Sequence, residues 1–315
     1  MKKTTIGGQA VMEGVMMKNQ DIYAVAVRKP DHTIEVKKGK SESLLDKYPI
    51  CRLPIIRGVV SFVESMSVGM KTLTWSSSFF EEEEAEKEPG KVELFLKKIF
   101  GDKLEAILMA GVMALSVVLA LGIFMLLPFW LSSLMKPYIS SYTVRTFLEG
   151  LIRVGIFLLY VVLISRMEDI RRVFMYHGAE HKTINCLEHG DDLTPENIRK
   201  YSRLHKRCGT SFLLIVMIVS IFIFMFIRVD QMLLKMVLRI LLIPVVAGIS
   251  YEFIRLAGRS ESKIMNILSR PGLCLQYLTT REPDDEMLEV AIASVEGVMD
   301  WKAYLEAMHK GELED

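Results

Sequence analysis

Two long uncharged segments dominate the pattern of hydrophobic and polar positions along the chain. Residues 106–135 carry no charged side chain over 30 residues, and residues 208–227 carry none over 20 residues. Because about 20 apolar residues in a helix cross the hydrocarbon core of a bilayer, each segment predicts a transmembrane helix. Pro128 lies inside the first segment and predicts a tilted or broken helix there.

Two further apolar segments are interrupted by arginine. Residues 154–165 and 240–251 each hold 12 uncharged residues and directly follow Arg153 and Arg239. Together with the apolar residues that precede each arginine, both segments are long enough to span if the arginine side chain reaches the interface. The sequence therefore predicts four spans, at about residues 106–135, 147–166, 208–228 and 232–252.

The first 78 residues predict a small α+β region. Ile22–Arg28 and Thr33–Lys37 alternate apolar and polar positions around a turn, which indicates a β-hairpin. Ile55–Trp75 places apolar residues at helical spacing and predicts an amphipathic helix, on the membrane surface or against the bundle. Because Glu81–Gly90 contains six acids, residues 79–90 are predicted to form a solvated linker.

The rest of the chain is divided into a four-span bundle with a histidine-containing loop, residues 91–258, and a tail, residues 259–315. In the tail, Arg270–Thr280 begins with Pro-Gly after the arginine and predicts a turn and an extended strand. Pro283 and the three acids after it predict the start of an amphipathic helix. The predicted fold class is a mainly α membrane protein with four transmembrane helices, a small cytoplasmic α+β N-terminal region and a cytoplasmic C-terminal helix.

Basic residues set the expected orientation. Nine lysines and arginines lie within residues 166–207, whereas the two connections on the other side of the membrane hold two each. The positive-inside rule places residues 166–207 and both termini in the cytoplasm. With 51% hydrophobic residues and a formal net charge of +1, the expected partner is the lipid bilayer and not nucleic acid. A homo-oligomer is a further partner that the sequence allows.

The segment Tyr176–Lys182, YHGAEHK, carries the most specific chemical pattern. His177 and His181 lie four residues apart, on one helix face, so that both imidazoles can reach one ion. Glu180 lies close enough to orient a water molecule at that ion. This is the H-x-x-E-H pattern of inverted zinc peptidases, in which a site with an open position acidifies water.

The same histidines have a structural explanation, because an apolar stripe shares their helix face and two core histidines would complete it. Two buried imidazoles without partners carry a large desolvation cost, however, which favours a divalent metal, with zinc as the first choice. The four cysteines occur singly and form no C-x-x-C motif, so neither a disulfide framework nor a thiolate zinc knuckle is predicted.

Donors from other parts of the chain are expected at the same membrane face. His205 and Cys208 precede the third span, and Glu252 lies at the end of the fourth. Each has an alternative: Glu252 can pair with Arg255 or Arg259, His205 can be one cation of a basic loop, and Cys208 can be a small hydrophobic residue. The predicted metal ligands are His177, His181, His205 and Glu252, with Glu180 as the catalytic residue and Cys208 as an additional candidate.

A glycine-bounded segment near the N-terminus, Gly7–Gly14, has two interpretations. Gln9 and Glu13 lie four residues apart between glycines that permit close backbone approach. One interpretation is a turn followed by a short helix. In the other, Glu13 closes the metal pocket from the soluble side and becomes a further candidate ligand.

Five motifs along the chain, taken together, resemble the YqhQ-like family of bacterial membrane proteins. They occur in the order GGQAVMEGVMM, YHGAEHKTINC, HKRCGTSF, GISYE and RPGLCLQYLTTREPDDEMLEVAIA, and the resemblance covers nearly the whole chain. The resemblance implies a multi-pass protein of the bacterial cytoplasmic membrane and a metal-dependent enzyme, but it implies no substrate. The candidate residues that fall inside the motifs are His177, Glu180, His181, His205, Cys208 and Glu252.

Three functions are compatible with these patterns. The first is a metal-dependent hydrolase acting on a peptide bond, a lipid headgroup or a phosphoester, because activated water serves all three. The second is a non-catalytic membrane scaffold or assembly factor, whose structural metal would be closed by His177, His181, His205 and Cys208. The third is a transporter, which is disfavoured because the two long spans hold no charge and no inverted repeat is visible.

Overall fold

A four-stranded antiparallel sheet forms the N-terminal part of the protein. The computed structural model describes residues 4–80, 104–229, 231–260 and 262–312. The strands follow one another along the chain and in space, in the order β1-β2-β3-β4. Their bounds are β1 Gly7–Val11, β2 Gly14–Asn19, β3 Ile22–Arg28 and β4 Ile34–Lys40.

The strands β3 and β4 confirm the predicted hairpin, with Arg28 opposite Ile34. The segment Gly7–Gly14 is not a turn and a short helix, so that interpretation is wrong. It forms strand β1 and the turn into β2, with Val11 opposite Gly14. Glu13 occupies the turn with a φ of 47°. The glycines in this segment therefore belong to a hairpin with a two-residue turn and not to the start of a helix.

The remaining described residues are mainly helical, and their helices are numbered here in chain order. The helices are α1 Leu44–Lys47, α2 Ile56–Ser77, α3 Leu104–Leu121, α4 Leu127–Ser133, α5 Tyr142–Ile164, α6 Glu168–His189, α7 Pro195–Ile198, α8 Gly209–Phe224, α9 Met232–Arg259, α10 Lys263–Thr279, α11 Asp285–Val298 and α12 Trp301–Lys310. A 3₁₀ turn, Pro49–Arg52, precedes α2. The acidic run of the predicted linker lies outside the described residues.

Both faces of the sheet are covered. Residues at alternate positions, such as Met17 and Ala24, pack with Tyr176 of α6 and Leu288 of α11 in one buried cluster. The opposite face packs against Val68 of α2 in a second cluster. Because side chains alternate between faces along a strand, one sheet can bury a helix on each side. The sheet is thereby fixed directly beside α6, the helix that carries the histidine motif.

Three helical segments are long and apolar enough to cross a membrane within the described part of the chain. They are Gly111–Ser133, Tyr142–Ile164 and Leu233–Gly258. The predicted third span corresponds to a shorter apolar helix, Gly209–Phe224. The first segment contains a π-helical turn, Gly122–Leu126, directly before Pro128. Proline cannot donate to the preceding turn, which explains why the helix widens at this point.

The expectation that Arg153 and Arg239 reach the membrane interface is wrong. Arg239 is only 2% exposed, and both of its Nη atoms donate to the buried carboxylate of Glu149. Arg153 and Lys235 approach the same carboxylate at 3.3 and 3.4 Å. Charges inside an apolar bundle are stabilised when they are paired. Here the Glu149 carboxylate on α5 is the anion that pairs with all three cations.

The tail segment predicted as a turn and strand is helical instead. Helix α10 runs through Pro271, and Gly272 lies against Ser211 of α8, where an added Cβ would come within 2.8 Å of the Ser211 Cβ. Gln276 further along α10 bonds to Ser211 Oγ at 2.8 Å. This close packing of α10 on α8 overrides the local tendency of Pro-Gly to form a turn. The amphipathic helix predicted after Pro283 is present as α11.

Candidate metal centre

His177 and His181 face each other in the middle of helix α6. Their ring centroids lie 4.4 Å apart, and His181 is 1% exposed. The helix is buried over this segment partly because Gly178 meets the main chain of Arg281, whose carbonyl oxygen would lie 1.9 Å from an added Cβ. The four-residue spacing recognised in the sequence therefore brings two imidazoles together at a buried position.

Both imidazoles are oriented by backbone carbonyl groups. His177 Nδ1 lies 2.8 Å from the carbonyl oxygen of Thr279, and His181 Nδ1 lies 2.6 Å from that of Arg203. A carbonyl oxygen only accepts hydrogen bonds, so each Nδ1 is the donor, and Nε2 is the ring nitrogen that would bind a metal. Metal-binding histidines are held in the same way, with the second ring nitrogen donating to a fixed acceptor.

Cys208 completes a group of three ligand atoms. Its Sγ lies 3.2 Å from His177 Nε2. The ligand atoms of His177, His181 and Cys208 all lie within 4.8 Å of one another, and all three residues are buried. Cys208 is the N-cap of α8, where Sγ lies 3.4 Å from the Thr210 amide nitrogen. Thiolates are stabilised at helix N-termini, which suits the sulfur as a ligand.

Glu180 points into the same space. Its Oε2 lies 3.6 Å from His181 Nε2 and 3.9 Å from His177 Nε2. Burial raises the pKa of Glu180 to about 7, against the opposing effects of nearby positive charge and a hydrogen bond from the Gly8 backbone. A carboxyl group with this pKa can exchange a proton near neutral pH, as a general base must.

His205 lies beside the three-atom group but is directed elsewhere. Its ring centroid is 5.7 Å from that of His181, and its Nε2 lies 3.6 Å from Oε2 of Glu188. Burial lowers the pKa of His205, although Glu188 opposes the shift. Gln276 bonds to both the backbone nitrogen and the backbone oxygen of His205. His205 therefore lies beside the three-atom group, but its side chain is paired with the Glu188 carboxylate.

Sequence patterns did not single out Glu188. It is 2% exposed and accepts from Thr4 as well as from Arg207. Burial alone would raise the pKa of Glu188, but the His205 hydrogen bond and the Arg207 charge outweigh it, so the pKa is lowered. Its position seven residues after His181 puts it on the same helix face, which is the one sequence signal that could have suggested it.

The other two predicted site residues have different partners. Both oxygens of Glu252 accept from the guanidinium group of Arg57 on α2, and Arg255 lies 3.9 Å away. Glu13 accepts from Arg172 of α6 and from the Tyr176 hydroxyl at 3.3 Å. Glu252 therefore joins α2 to α9, and Glu13 joins the β1–β2 turn to α6. Neither is among the residues that line the cavity beside the histidines.

The site opens into a cavity of about 720 Å³. One wall is the start of the sheet, from Thr5 to Gln9, and the opposite wall is formed by polar residues of α2, including Ser61 and Glu64. Cavities of several hundred cubic ångströms are typical of sites for small ligands or peptide segments. His177, His181 and Cys208 are among the residues that line this cavity.

The donor set fits a divalent metal of the zinc type. Imidazole nitrogen and cysteine sulfur are both zinc ligands, and three protein ligands would leave a fourth position open. The orienting carbonyl groups of Thr279 and Arg203 supply the outer contacts that such a site requires. His177, His181 and Cys208 would hold the ion, with the Glu180 carboxylate beside it.

Comparisons with known proteins identify the family of this chain. Residues 53–301 match the family described as Protein of unknown function (DUF1385). Uncharacterized protein YqhQ of Bacillus subtilis (strain 168) is 37% identical over 305 residues, which is 96% of this chain and 95% of that protein. No solved structure shows significant similarity to the chain. This chain therefore belongs to the YqhQ-like family of proteins of unknown function.

Proposed function

We propose that this protein is a zinc-dependent hydrolase of the bacterial cytoplasmic membrane. The observation that carries the proposal is the convergence of His177, His181 and Cys208 while both Nδ1 atoms face backbone carbonyl oxygens. That arrangement aims two lone pairs and one sulfur at a single point. A pair of ordinary core histidines would not need such an arrangement.

Glu180 has the position of a general base. A zinc ion bound by the three ligands would supply a Lewis acid that polarises a carbonyl or phosphoryl oxygen and acidifies water. The Glu180 carboxylate would then take a proton from the attacking water and deliver it to the leaving group. Gly8 would orient the carboxylate through its backbone N–H.

The proposal includes four membrane spans, with α8 as the third. Helix α8 has 16 residues, which corresponds to a rise of about 24 Å. The apolar residues up to Ile227 extend this length towards the hydrocarbon thickness, and Arg228 marks the far end. The excess of basic residues in 166–207 supports a cytoplasmic position for the metal site and for both termini.

Metal analysis of detergent-purified protein tests the proposal. We expect about one zinc per chain in the wild type and in Glu180→Gln, and less than a tenth of that in His181→Ala, because a two-ligand site binds zinc weakly. His189→Ala is the matched control, since His189 is an exposed histidine on the same helix. Wild-type protein without zinc, or a His181→Ala variant that keeps it, would refute the metal site.

A panel of fluorogenic peptides, phosphodiesters and lipid esters then tests hydrolysis. Glu180→Gln should lower the rate on the accepted class by a factor of about 10²–10⁴ while the zinc content is unchanged. The alternative, a scaffold with a structural metal, predicts a closed fourth position and a silent Glu180→Gln. The direction of His205 Nε2 towards Glu188 supports the open site.

A further inference from the structure

Strand β1 is a free edge of the sheet and lies along the cavity. Its neighbour on one side is β2, and no strand of the described part of the chain lies on the other. Gly7 and Gly8 are both exposed, and the cavity is lined by Thr5 through Gln9. An exposed edge strand carries backbone donors and acceptors that can pair with another extended segment.

The strand register shows which backbone groups point outwards. Asn19 and Ile22 flank a two-residue turn and form a hydrogen-bonded pair, so the odd-numbered residues of β2 bond to β3. The even-numbered residues of β2 must then bond to β1, and their partners there are Gly7, Gln9 and Val11. Gly8 and Ala10 therefore direct their N–H and C=O groups away from the sheet.

The outward groups lie next to the proposed catalytic centre. Gly8 lies against the Glu180 side chain, since a Cβ added at Gly8 would come within 2.8 Å of Glu180 Oε1. The Gly8 carbonyl and both groups of Ala10 continue along the same edge. Because N–H and C=O groups repeat every second residue, an added antiparallel strand would run past Glu180 with its carbonyl groups at regular intervals.

The charges that line the cavity favour a peptide over a phosphate-bearing headgroup. Its two lysine or arginine residues are Lys18 and Arg207. Lys18 Nζ lies 3.3 Å from Ser41 Oγ, and Arg207 is bound by Glu188 and by the Thr4 carbonyl. Phosphate groups are often bound by charge-assisted hydrogen bonds from arginine or lysine. Both cations of this cavity already have partners.

We propose that the outer edge of β1 binds an extended polypeptide segment as an added strand, so that the bond hydrolysed at the metal site is a peptide bond. This inference rests on the proposed function. The oxygen of water forms the new C–O bond to the substrate carbonyl carbon, and the C–N bond breaks. Glu180 takes one proton from the water and transfers it to the departing nitrogen, which leaves a carboxylic acid and an amine.

The test uses the zinc-loaded full-length chain in lipid nanodiscs with a mixture of random decapeptides as the probe. Mass spectrometry identifies the cleaved bonds, and one cleaved decapeptide is then made with a single N-methyl group at each position in turn. Binding of each version to Glu180→Gln is measured by fluorescence anisotropy. We expect affinity to fall about fivefold to tenfold at every second position around the cleaved bond, because only alternate N–H groups face β1.

A backbone variant tests the protein side of the same contact. Ala10→Pro removes the outward N–H but no β1–β2 hydrogen bond, and we expect about tenfold weaker peptide binding. Ala10→Val keeps the N–H and is the matched control. If Ala10→Pro fails to fold, the N-methyl series on otherwise native sequence still decides the question.

The outcomes separate this inference from the proposed function. An N-methyl series without a two-residue period would overturn strand addition. Zinc-dependent hydrolysis of phosphatidylglycerol vesicles, with no decapeptide cleaved, would overturn the peptide inference and leave the hydrolase in place. Protein that contains no zinc and hydrolyses neither probe would overturn both.

Discussion

Arg153 of α5 donates its Nε hydrogen to the carbonyl oxygen of Phe124 over 3.1 Å. In a regular helix this carbonyl would accept from residue 128, but Pro128 has no N–H. The arginine therefore supplies the donor that the proline lacks, and it does so at the π-helical turn. An unsatisfied carbonyl in an apolar environment is costly, which gives the buried cation a structural role.

A double-mutant cycle tests this role of Arg153. Arg153→Met should lower the free energy of unfolding by about 1–3 kcal/mol, because it removes a hydrogen-bond donor of the Phe124 carbonyl. In a Pro128→Ala background, where the helix can supply its own N–H, the same change should cost less. Unfolding by denaturant in detergent micelles measures both. Arg166→Met, at an exposed position after the same helix, is the control. Equal costs in the two backgrounds would show that the pair is not coupled.

The carboxylate of Glu149 is expected to be essential for the stability of the bundle. Glu149→Gln leaves Arg153, Lys235 and Arg239 near one another without an anion, and breaking a buried ion pair in this way costs about 3–5 kcal/mol. Glu168→Gln removes an exposed acid and should have little effect. A Glu149→Gln variant that is as stable as the wild type, without any second substitution, would show that other groups compensate the three cations.

The elements that were predicted correctly depend on local patterns. Long uncharged runs, the alternation in Ile22–Arg28 and the helical spacing in Ile55–Trp75 each specify an element without reference to the rest of the chain. The errors arise where distant segments meet. Arg239 of α9 pairs with Glu149 of α5 through tertiary packing, and α10 continues through Pro271 because Gly272 packs on α8.

The site was predictable to the extent that its ligands share one helix. The spacing of His177, Glu180 and His181 gives their common face directly. The sequence could not predict which of the remaining candidate donors joins the two histidines, because this depends on the partner that each side chain contacts in the folded protein. Cys208 joins the histidines, whereas His205 pairs with Glu188 and Glu252 with Arg57.

These pairings predict which candidate ligands affect metal content. Glu252→Gln should keep about one zinc per chain, because this carboxylate is engaged by Arg57. His205→Ala should also keep zinc while it lowers stability, since it removes one of the partners of the buried Glu188 carboxylate. Cys208→Ala should lose most of the zinc. Elemental analysis of the three variants side by side would contradict this ranking if Glu252→Gln lost metal and Cys208→Ala did not.

Thiol reactivity provides a separate test of burial around the site. Burial raises the pKa of Cys186 to about 12, so about one thiol in ten thousand is ionised at pH 8. Iodoacetamide should therefore spare Cys186 in the folded protein and modify the exposed Cys274. Zinc should slow modification of Cys208 and leave the rate at Cys274 unchanged. Mass spectrometry after timed labelling reads all three rates, and a Cys208 rate that ignores zinc would count against its role as a ligand.

Two adjacent glycines allow the position of Glu180 to be tested without changing Glu180. A Cβ added at Gly8 would lie 2.6 Å from the Glu180 Cγ, so Gly8→Ala must displace this side chain. The ligands themselves are untouched, and zinc content should stay near one per chain. Hydrolysis should fall by at least about tenfold, because a misplaced general base loses much of its contribution.

Gly7→Ala is the matched control for this change. No described residue lies within 4 Å of a Cβ added at Gly7, and neither glycine has a positive φ, so alanine costs no backbone strain at either position. Both variants also make the same change in chain entropy, which leaves the contact with Glu180 as the difference between them. Gly7→Ala should match the wild type in zinc content and in rate. If Gly8→Ala is equally active, Glu180 does not act from the position it holds beside β1, and the assignment of the general base fails.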